Sequence, residues 1–368
     1  MIIVFFAILI VFTIAVGIYF YFYLKRMADF FHININIKKV KIIIAVITVI
    51  ISAITLNVWS MYSVIVLHIV TISLIMEVIN IFIRKKHKWE LIYKSGVIPL
   101  VLTMIIFGYG YYNMRHVVKT EYTIYTEKNI RDKGYSIALI SDLHYGSVMN
   151  KEQLQKYCNE ISSLKTDMVI LCGDIVDENT KLKEMEEAIE VLGTIESNYG
   201  NYYVYGNHDK NIYRSKPSYT KDQLDKALEG SGINILQDEC VDINNDFVIV
   251  GRDDAEMLQN DNREDIKSLL KDIDDKKFIL LLDHQPCELK ENNAARCDLM
   301  LSGHTHGGQI WPVGLLSEKL KINEMNYGYK KMSNMQIIVS SGICGWAYPV
   351  RTECKSEYVI INIENENI

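Results

Sequence analysis

The sequence predicts an α/β fold of helix-covered sheets, preceded by about four transmembrane helices. Two observations carry this. Four long apolar runs occupy the first 115 residues, and beyond them short Ile-, Val- and Leu-rich runs alternate with amphipathic stretches. A third observation bears on function: loops rich in Asp, His and Gly follow those short runs directly.

The first apolar run, Ile2 to Leu24, has no charge and ends at Lys25 and Arg26. At about 1.5 Å per helical residue it can cross a bilayer. A cleaved signal peptide fits less well, because no basic residue precedes the run and no small-residue cleavage site follows it. Ile42 to Val58, Met61 to Ile83 and Val97 to Met114 are the second, third and fourth runs, each close to the roughly 20 residues a span needs.

Basic residues cluster between runs one and two (Lys25, Arg26, Lys38, Lys39, Lys41) and between three and four (Arg84, Lys85, Lys86, Lys88, Lys94). Positively charged loops stay on the cytoplasmic side, so the segment after Met114 is expected on the extracytoplasmic face. Within the third run His68 is expected to stay neutral, and Glu77 lies close to the basic end.

The expected organisation is a transmembrane region over residues 1–115, a polar connector over 116–134 and a soluble domain over 135–368. Beyond Arg115 lie 28 of the 39 basic and 42 of the 45 acidic residues, a formal charge of −14. Nucleic acid, which calls for a basic surface, is disfavoured as a partner; the bilayer and a phosphorylated small-molecule or lipid-linked substrate are expected instead. The seven cysteines form no CxxC pair and signal neither a disulfide framework nor a zinc knuckle. Oligomeric state leaves no mark in the sequence.

In the soluble part, strands are expected at Ile137 to Ile140, Met168 to Leu171, Tyr202 to Tyr205, Phe247 to Val250, Phe278 to Leu282, Leu299 to Leu301, Gln336 to Val339 and Tyr358 to Ile363. Helical spacing marks Lys151 to Leu164 and Lys181 to Ser197. Five of the strands open into chemistry-bearing loops: IALI into SDLHYG, MVIL into CGDIVD, YYVY into GNHDK, FILLL into DHQP and LML into SGHTHGGQ. Beyond His116 there are five histidines, and every one lies in such a loop.

Carboxylates and imidazoles gathered at one sheet edge suit borderline divalent metals. Asp142, His144, Asp174, Asn207, His284, His304 and His306 offer seven ligand side chains, too many for one ion that keeps a position open. Two ions with Asp174 between them would use all seven, a known device for displacement at phosphorus.

The ordered series DxH, GDxxD, GNHD, H and GHTH resembles the calcineurin-like metallophosphoesterase family over roughly Tyr135 to Ile363, and GHTHGGQ with SGICGWAYPVR resembles its bacterial membrane-associated members. The resemblance implies a four-layer αββα sandwich. It implies one metal on Asp142, His144, Asp174 and His306, a second on Asp174, Asn207, His284 and His304, and attack by a hydroxide between them. Manganese is the first expectation, with iron or zinc as alternatives. His208 is expected to steady a phosphoryl oxygen or protonate the leaving group, with Asp209 orienting its ring, and Arg351 to contact the substrate phosphate.

Among peripheral residues, Asp177 is expected to support a ligand or close its loop, and Asp283 to be structural. Lys210, Arg214 and Lys216 are expected in a solvated loop, and Trp311, Tyr327, Tyr329 and Trp346 on the motif side of the sheet. The function implied is a membrane-anchored phosphohydrolase; the competing expectation is a catalytically silent membrane sensor or scaffold that keeps the fold.

Overall fold

The structure is a computed structural model that describes residues 2–84, 86–255 and 263–366. The chain divides into two compact units, Met1–Tyr109 and Gly110–Ile368.

The first unit holds helices α1 (Ile2–Phe30), α2 (Lys38–Ile54), α3 (Met61–Ile83) and α4 (His87–Ser95), and α5 (Val97–Arg115) begins in it. Phe6–Phe30, Met61–Ile83 and Val97–Arg115 are long and apolar enough to cross a membrane. The remaining apolar run forms a helix of 17 residues, α2, so the expected set of about four is present with one short member. Helix α1 continues through Lys25 and Arg26, and Arg26 Nη1 pairs with Glu77 Oε1 at 2.6 Å. The charge expected near the end of the third run is thereby partnered. His68 Nδ1 lies 2.9 Å from the Val64 carbonyl oxygen.

The second unit contains β1 (Val118–Thr126), β2 (Tyr135–Ile140), α6 (Lys151–Ser163), β3 (Met168–Cys172), α7 (Leu182–Gly193), β4 (Asn201–Val204), α8 (Lys221–Gly230), β5 (Ile233–Ile235), β6 (Glu239–Asn244) and β7 (Phe247–Gly251). It continues with α9 (Ile266–Leu270), β8 (Phe278–Leu282), α10 (Leu289–Ala294), β9 (Leu299–Ser302), α11 (Val313–Leu320), β10 (Gly328–Lys331), β11 (Gln336–Val339) and β12 (Glu357–Asn365). One sheet runs β1-β12-β2-β3-β4-β5 and the other β10-β11-β9-β8-β7-β6.

Alternation along the strands builds the layers. In β3, Val169 and Leu171 face the core shared with α6, α7 and α8, while Met168, Ile170 and Cys172 face the core between the sheets. In β8, Phe278, Leu280 and Leu282 meet them there, and Ile279 and Leu281 face the core with α9 and α10. Three cores separate four layers, giving the expected αββα sandwich. Strands buried on both faces read as continuous apolar runs, which is why the sequence announces them.

Local signals place the helices. Asn150 and Gln153 form a capping box that starts α6. Met185, Ala188, Ile189 and Leu192 supply the buried stripe of α7 at helical spacing.

The connector expectation needs correction. Residues 118–126 form β1, parallel to β12 in full register from Val118↔Glu357 to Thr126↔Asn365. The segment VKTEYTIYT alternates and is rich in β-branched and aromatic residues, but its exposed polar positions disguise an edge strand as a linker.

Candidate metal centre

Strands β2, β3 and β4 run parallel and adjacent, as do β8 and β9 in the other sheet. Their C-terminal ends deliver Asp142 and His144, then Asp174, then Asn207 and His208, then His284, and finally His304 and His306. All seven expected ligands come together.

They form two groups, Asp142 with His144 and His306, and Asp174 with His284 and His304. Asp174 Oδ2 lies 3.1 Å from His284 Nε2 and 3.7 Å from His144 Nε2, between the groups. Its Oδ1 accepts the His208 backbone N–H at 3.0 Å. His306 Nε2 lies 3.6 Å from Asp142 Oδ1, and Asn207 Oδ1 lies 3.0 Å from His304 Nδ1. Asp174 is thus the carboxylate that approaches histidines of both groups.

The backbone is bent to make this possible. Asp142, His144, Asp174, His304 and His306 all have φ between 42° and 70°. The left-handed region costs a non-glycine residue roughly 1 kcal/mol or more, and such strain concentrates at functional sites. Gly173, at φ 77°, sits where a Cβ would strike the His284 ring, and a Cβ on Gly303 would strike the Asp142 carboxylate.

The donor chemistry fits divalent cations. Asp142 and Asp174 are almost completely buried, and among the described residues their ion-pair partners are histidines, with no Lys or Arg on either carboxylate. His284 Nδ1 lies 2.8 Å from the Cys172 carbonyl oxygen, which points Nε2 at the site. Burial lowers this ring's pKa, but Asp174 Oδ2 at 3.1 Å from Nε2 reverses this and raises it well above the usual value, so an ion would take the place of a proton there. His284 Nε2 and His144 Nε2 are buried without an aligned hydrogen bond among the described residues. Burial and the neighbouring His284 hold His304 down at about 4, and burial with His144 holds His306 well below its usual range. Both rings are thus neutral and able to ligate.

Asp177 lies 3.4 Å from His144 Nδ1 through Oδ2, and its Oδ1 accepts the Asn179 backbone N–H at 2.7 Å. It thus approaches the His144 ring and closes its own loop.

His208 departs from expectation in its partner. Its Nδ1 meets Glu178 Oε2 at 2.8 Å. Burial alone would lower the ring's pKa, but Glu178 and Asp174 reverse this and push it up to about 9. Asp209 does not orient this ring. It is fully buried, and its carboxylate accepts backbone N–H groups of Asp174, Gly206 and Val176, stapling the β3 and β4 loops together. The sequence signal for Glu178 was slight: an acidic residue directly after GDIVD.

Arg351 also departs from expectation. It is fully buried; Nη1 donates to the His306 carbonyl oxygen at 2.8 Å and Nη2 to that of Cys344. The guanidinium braces the loop carrying His306, its remaining Nε is buried, and the side chain does not line the cleft that His208 borders. Lys210 pairs with Asp253 at 2.6 Å, and exposed Arg214 donates to Asn179 at 2.6 Å. Asp283 is buried against Arg263 in an ion pair, a structural role.

The groups border a cleft of about 390 Å3 lined by Asp174, Glu178, Asn207, His208, Tyr213, His304, His306 and Trp346. Trp346 and Tyr213 flank His208, with ring centroids at 4.9 and 5.3 Å. Of the four loop aromatics considered from sequence, Trp346 lines this cleft. Tyr327 hydrogen-bonds Glu357 instead, and Tyr329 stacks on Tyr122.

The sequence profile of the calcineurin-like phosphoesterase family matches residues 135–308. An uncharacterized metallophosphoesterase of Aquifex aeolicus (strain VF5) is 31% identical over 270 residues, covering 73% of this chain and 99% of the relative. Another from Helicobacter pylori (strain J99) is 34% identical over 250 residues, covering 67% of this chain and 64% of that protein. A transmembrane protein with metallophosphoesterase domain from Danio rerio is 28% identical over 281 residues, covering 72% and 62% respectively. The chain thus spans less than two thirds of the last two relatives. With the Aquifex protein matched almost end to end, the chain belongs to the calcineurin-like phosphoesterase family.

Proposed function

We propose that the chain is a membrane-anchored phosphohydrolase holding two divalent ions and cleaving a phosphomonoester, phosphodiester or pyrophosphate bond. The observation that carries this is the pair of buried carboxylates, Asp142 and Asp174, whose ion-pair partners among the described residues are imidazoles, with no Lys or Arg. Buried charge is costly, and cations between the side chains would offset that cost. Asp142, His144, Asp174 and His306 would hold one ion, and Asp174, Asn207, His284 and His304 the other. Such a pair supplies water activated for attack at phosphorus and positive charge for the departing oxygen.

His208 stands at the cleft with Nδ1 engaged by Glu178, which leaves Nε2 to donate to a phosphoryl or leaving-group oxygen. Trp346 and Tyr213 confine the ring from its sides. Manganese suits this nitrogen and oxygen donor set, and iron or zinc would also be accepted. The distribution of Lys and Arg favours an extracytoplasmic catalytic unit, and the acidic surface favours a small or lipid-linked phosphate of the cell envelope over nucleic acid. Labelling half-buried Cys240 in intact cells tests the facing: reaction only after lysis would reverse it.

The function is tested by hydrolysis of p-nitrophenyl phosphate and bis-p-nitrophenyl phosphate by the full chain after chelation and manganese re-addition, beside His208→Ala. Turnover should return with metal and fall about 10²- to 10⁴-fold in the variant. A fully metallated protein that turns over neither ester, nor a panel of envelope phosphates, would instead be a sensor that keeps the fold.

A further inference from the structure

Helix α11 is amphipathic in the wrong sense for water. It follows the GHTHGGQ loop, and its small residues Gly314 and Ser317 point inward and are buried. Its large apolar residues point outward: Val313, Leu316 and Leu320 are 52%, 48% and 68% exposed, and Ile322, just beyond the helix, is 70% exposed. Val313, Leu316 and Leu320 are spaced i, i+3 and i+7, so they form one stripe. A soluble helix buries such a stripe, and a concentrated apolar patch marks a surface that meets an apolar partner.

The position of α11 says which partner. The last six residues of α5 belong to the same unit as α11. There the Gly110 carbonyl oxygen accepts the Arg351 N–H at 2.9 Å, and Asn113 Nδ2 donates to the carbonyl oxygens of Arg351 and Cys354 at 3.0 and 2.6 Å. The intervening residues hold α11. Thr352 Oγ1 accepts the Trp311 N–H at 2.9 Å, and the Glu353 carboxylate caps the helix at the N–H groups of Gly314 and Leu315, at 2.8 and 3.0 Å. One short strap, Arg351 to Cys354, thus ties α11 to the end of an apolar helix long enough to cross a bilayer. Lys319 and Lys321 flank Leu320, and their long stems allow the ammonium groups to reach headgroups while the stripe sinks below them.

We propose that α11 is an interfacial anchor whose Val313, Leu316, Leu320 and Ile322 insert into the headgroup and acyl boundary of the bilayer that α5 enters. The backbones of Gly308 and Gly314 pack so closely that a Cβ on Gly308 would collide with Gly314, so α11 sits directly on the loop carrying His306. Insertion therefore sets the cleft at headgroup depth. Resting on the phosphohydrolase reading, this assigns the substrate to amphiphiles that carry their phosphate at that depth.

The test uses the full chain in nanodiscs of phosphatidylcholine and phosphatidylglycerol, with Cys240, Cys287 and Cys354 each replaced by serine. A nitroxide is attached to Leu316→Cys or Leu320→Cys, with Glu190→Cys on α7 as the aqueous control. Relaxation by oxygen, which concentrates in the acyl region, is compared with relaxation by a water-soluble nickel chelate. The oxygen-to-nickel ratio should be several-fold higher at 316 and 320 than at 190. Equal ratios at all three positions would overturn the proposal. So would dipolar broadening that disappears on dilution with unlabelled protein, which would give the stripe to a second copy of the chain. Depth is read without turnover, so this result and the phosphohydrolase reading can fail separately.

Discussion

Glu178→Gln isolates one charge in the cleft. Glu178 Oε2 lies 2.8 Å from His208 Nδ1, and both side chains are mostly buried, 17% and 12% exposed. Glutamine keeps an acceptor at the same reach and removes only the negative charge. A hydrogen bond to a charged partner is worth about 1.5–3 kcal/mol, and one pKa unit is about 1.36 kcal/mol, so the imidazolium should lose roughly 1–2 units. The sign follows from the raised value of about 9: the wild-type ring stays protonated to higher pH than an ordinary histidine, and loss of Glu178 moves deprotonation downward. Bound dications would lower both proteins' values and preserve the direction of the difference. The assay is kcat against pH for a chromogenic phosphodiester with saturating manganese. The alkaline limb should move to lower pH by that amount while the low-pH plateau is retained. In Glu178→Ala the plateau should fall as well, because the ring also loses its orientation. An alkaline limb unmoved in Glu178→Gln would refute the role of Glu178 in holding His208 as the proton donor.

Arg351→Met should act on stability: it strands the carbonyls of His306 and Cys344, so about 2–4 kcal/mol should be lost in denaturant unfolding of the catalytic unit, with KM for the same ester near wild type. A raised KM with unchanged stability would restore the phosphate-binding role. Asp209→Asn leaves fewer acceptors for three loop N–H groups and should cost about 1–3 kcal/mol without moving the alkaline limb of the pH profile. Leu280→Ala, in the core between the sheets, should cost about 2–5 kcal/mol by opening a cavity, with metal content unchanged in the folded fraction.

Much of the candidate site was legible because its loops follow strands buried on both faces, and such strands stand out as unbroken apolar runs. Asp142, Asp174, His284 and His304 each lie two residues past the end of their strand, so finding β2, β3, β8 and β9 nearly finds the candidate ligands. What stayed hidden depends on where a side chain turns. In GNHD, Asp209 is adjacent to His208, and adjacency suggested a pair; the loop instead turns Asp209 back onto three backbone N–H groups and leaves the ring to Glu178, thirty residues earlier. Arg351 misled for a similar reason, since an arginine near a phosphate site and one bracing the loop beneath it look alike in sequence. The left-handed φ values at five of the candidate ligands have no residue signature at all. Strand β1 was missed because an edge strand needs apolar residues on one face only. The outward stripe of α11 could not be recognised until Gly314 and Ser317 were seen facing inward.

The central claim is that Asp174 is shared by two ions. It is tested most directly by electron paramagnetic resonance of the manganese-loaded full chain, with metal content measured alongside. Ions roughly 3.5–4 Å apart are exchange-coupled. Wild type should bind two manganese ions per chain and give a coupled-pair spectrum, and Asp174→Asn should lose the coupling together with at least one ion. Two uncoupled ions in wild type, or a coupled pair that survives in Asp174→Asn, would contradict the account.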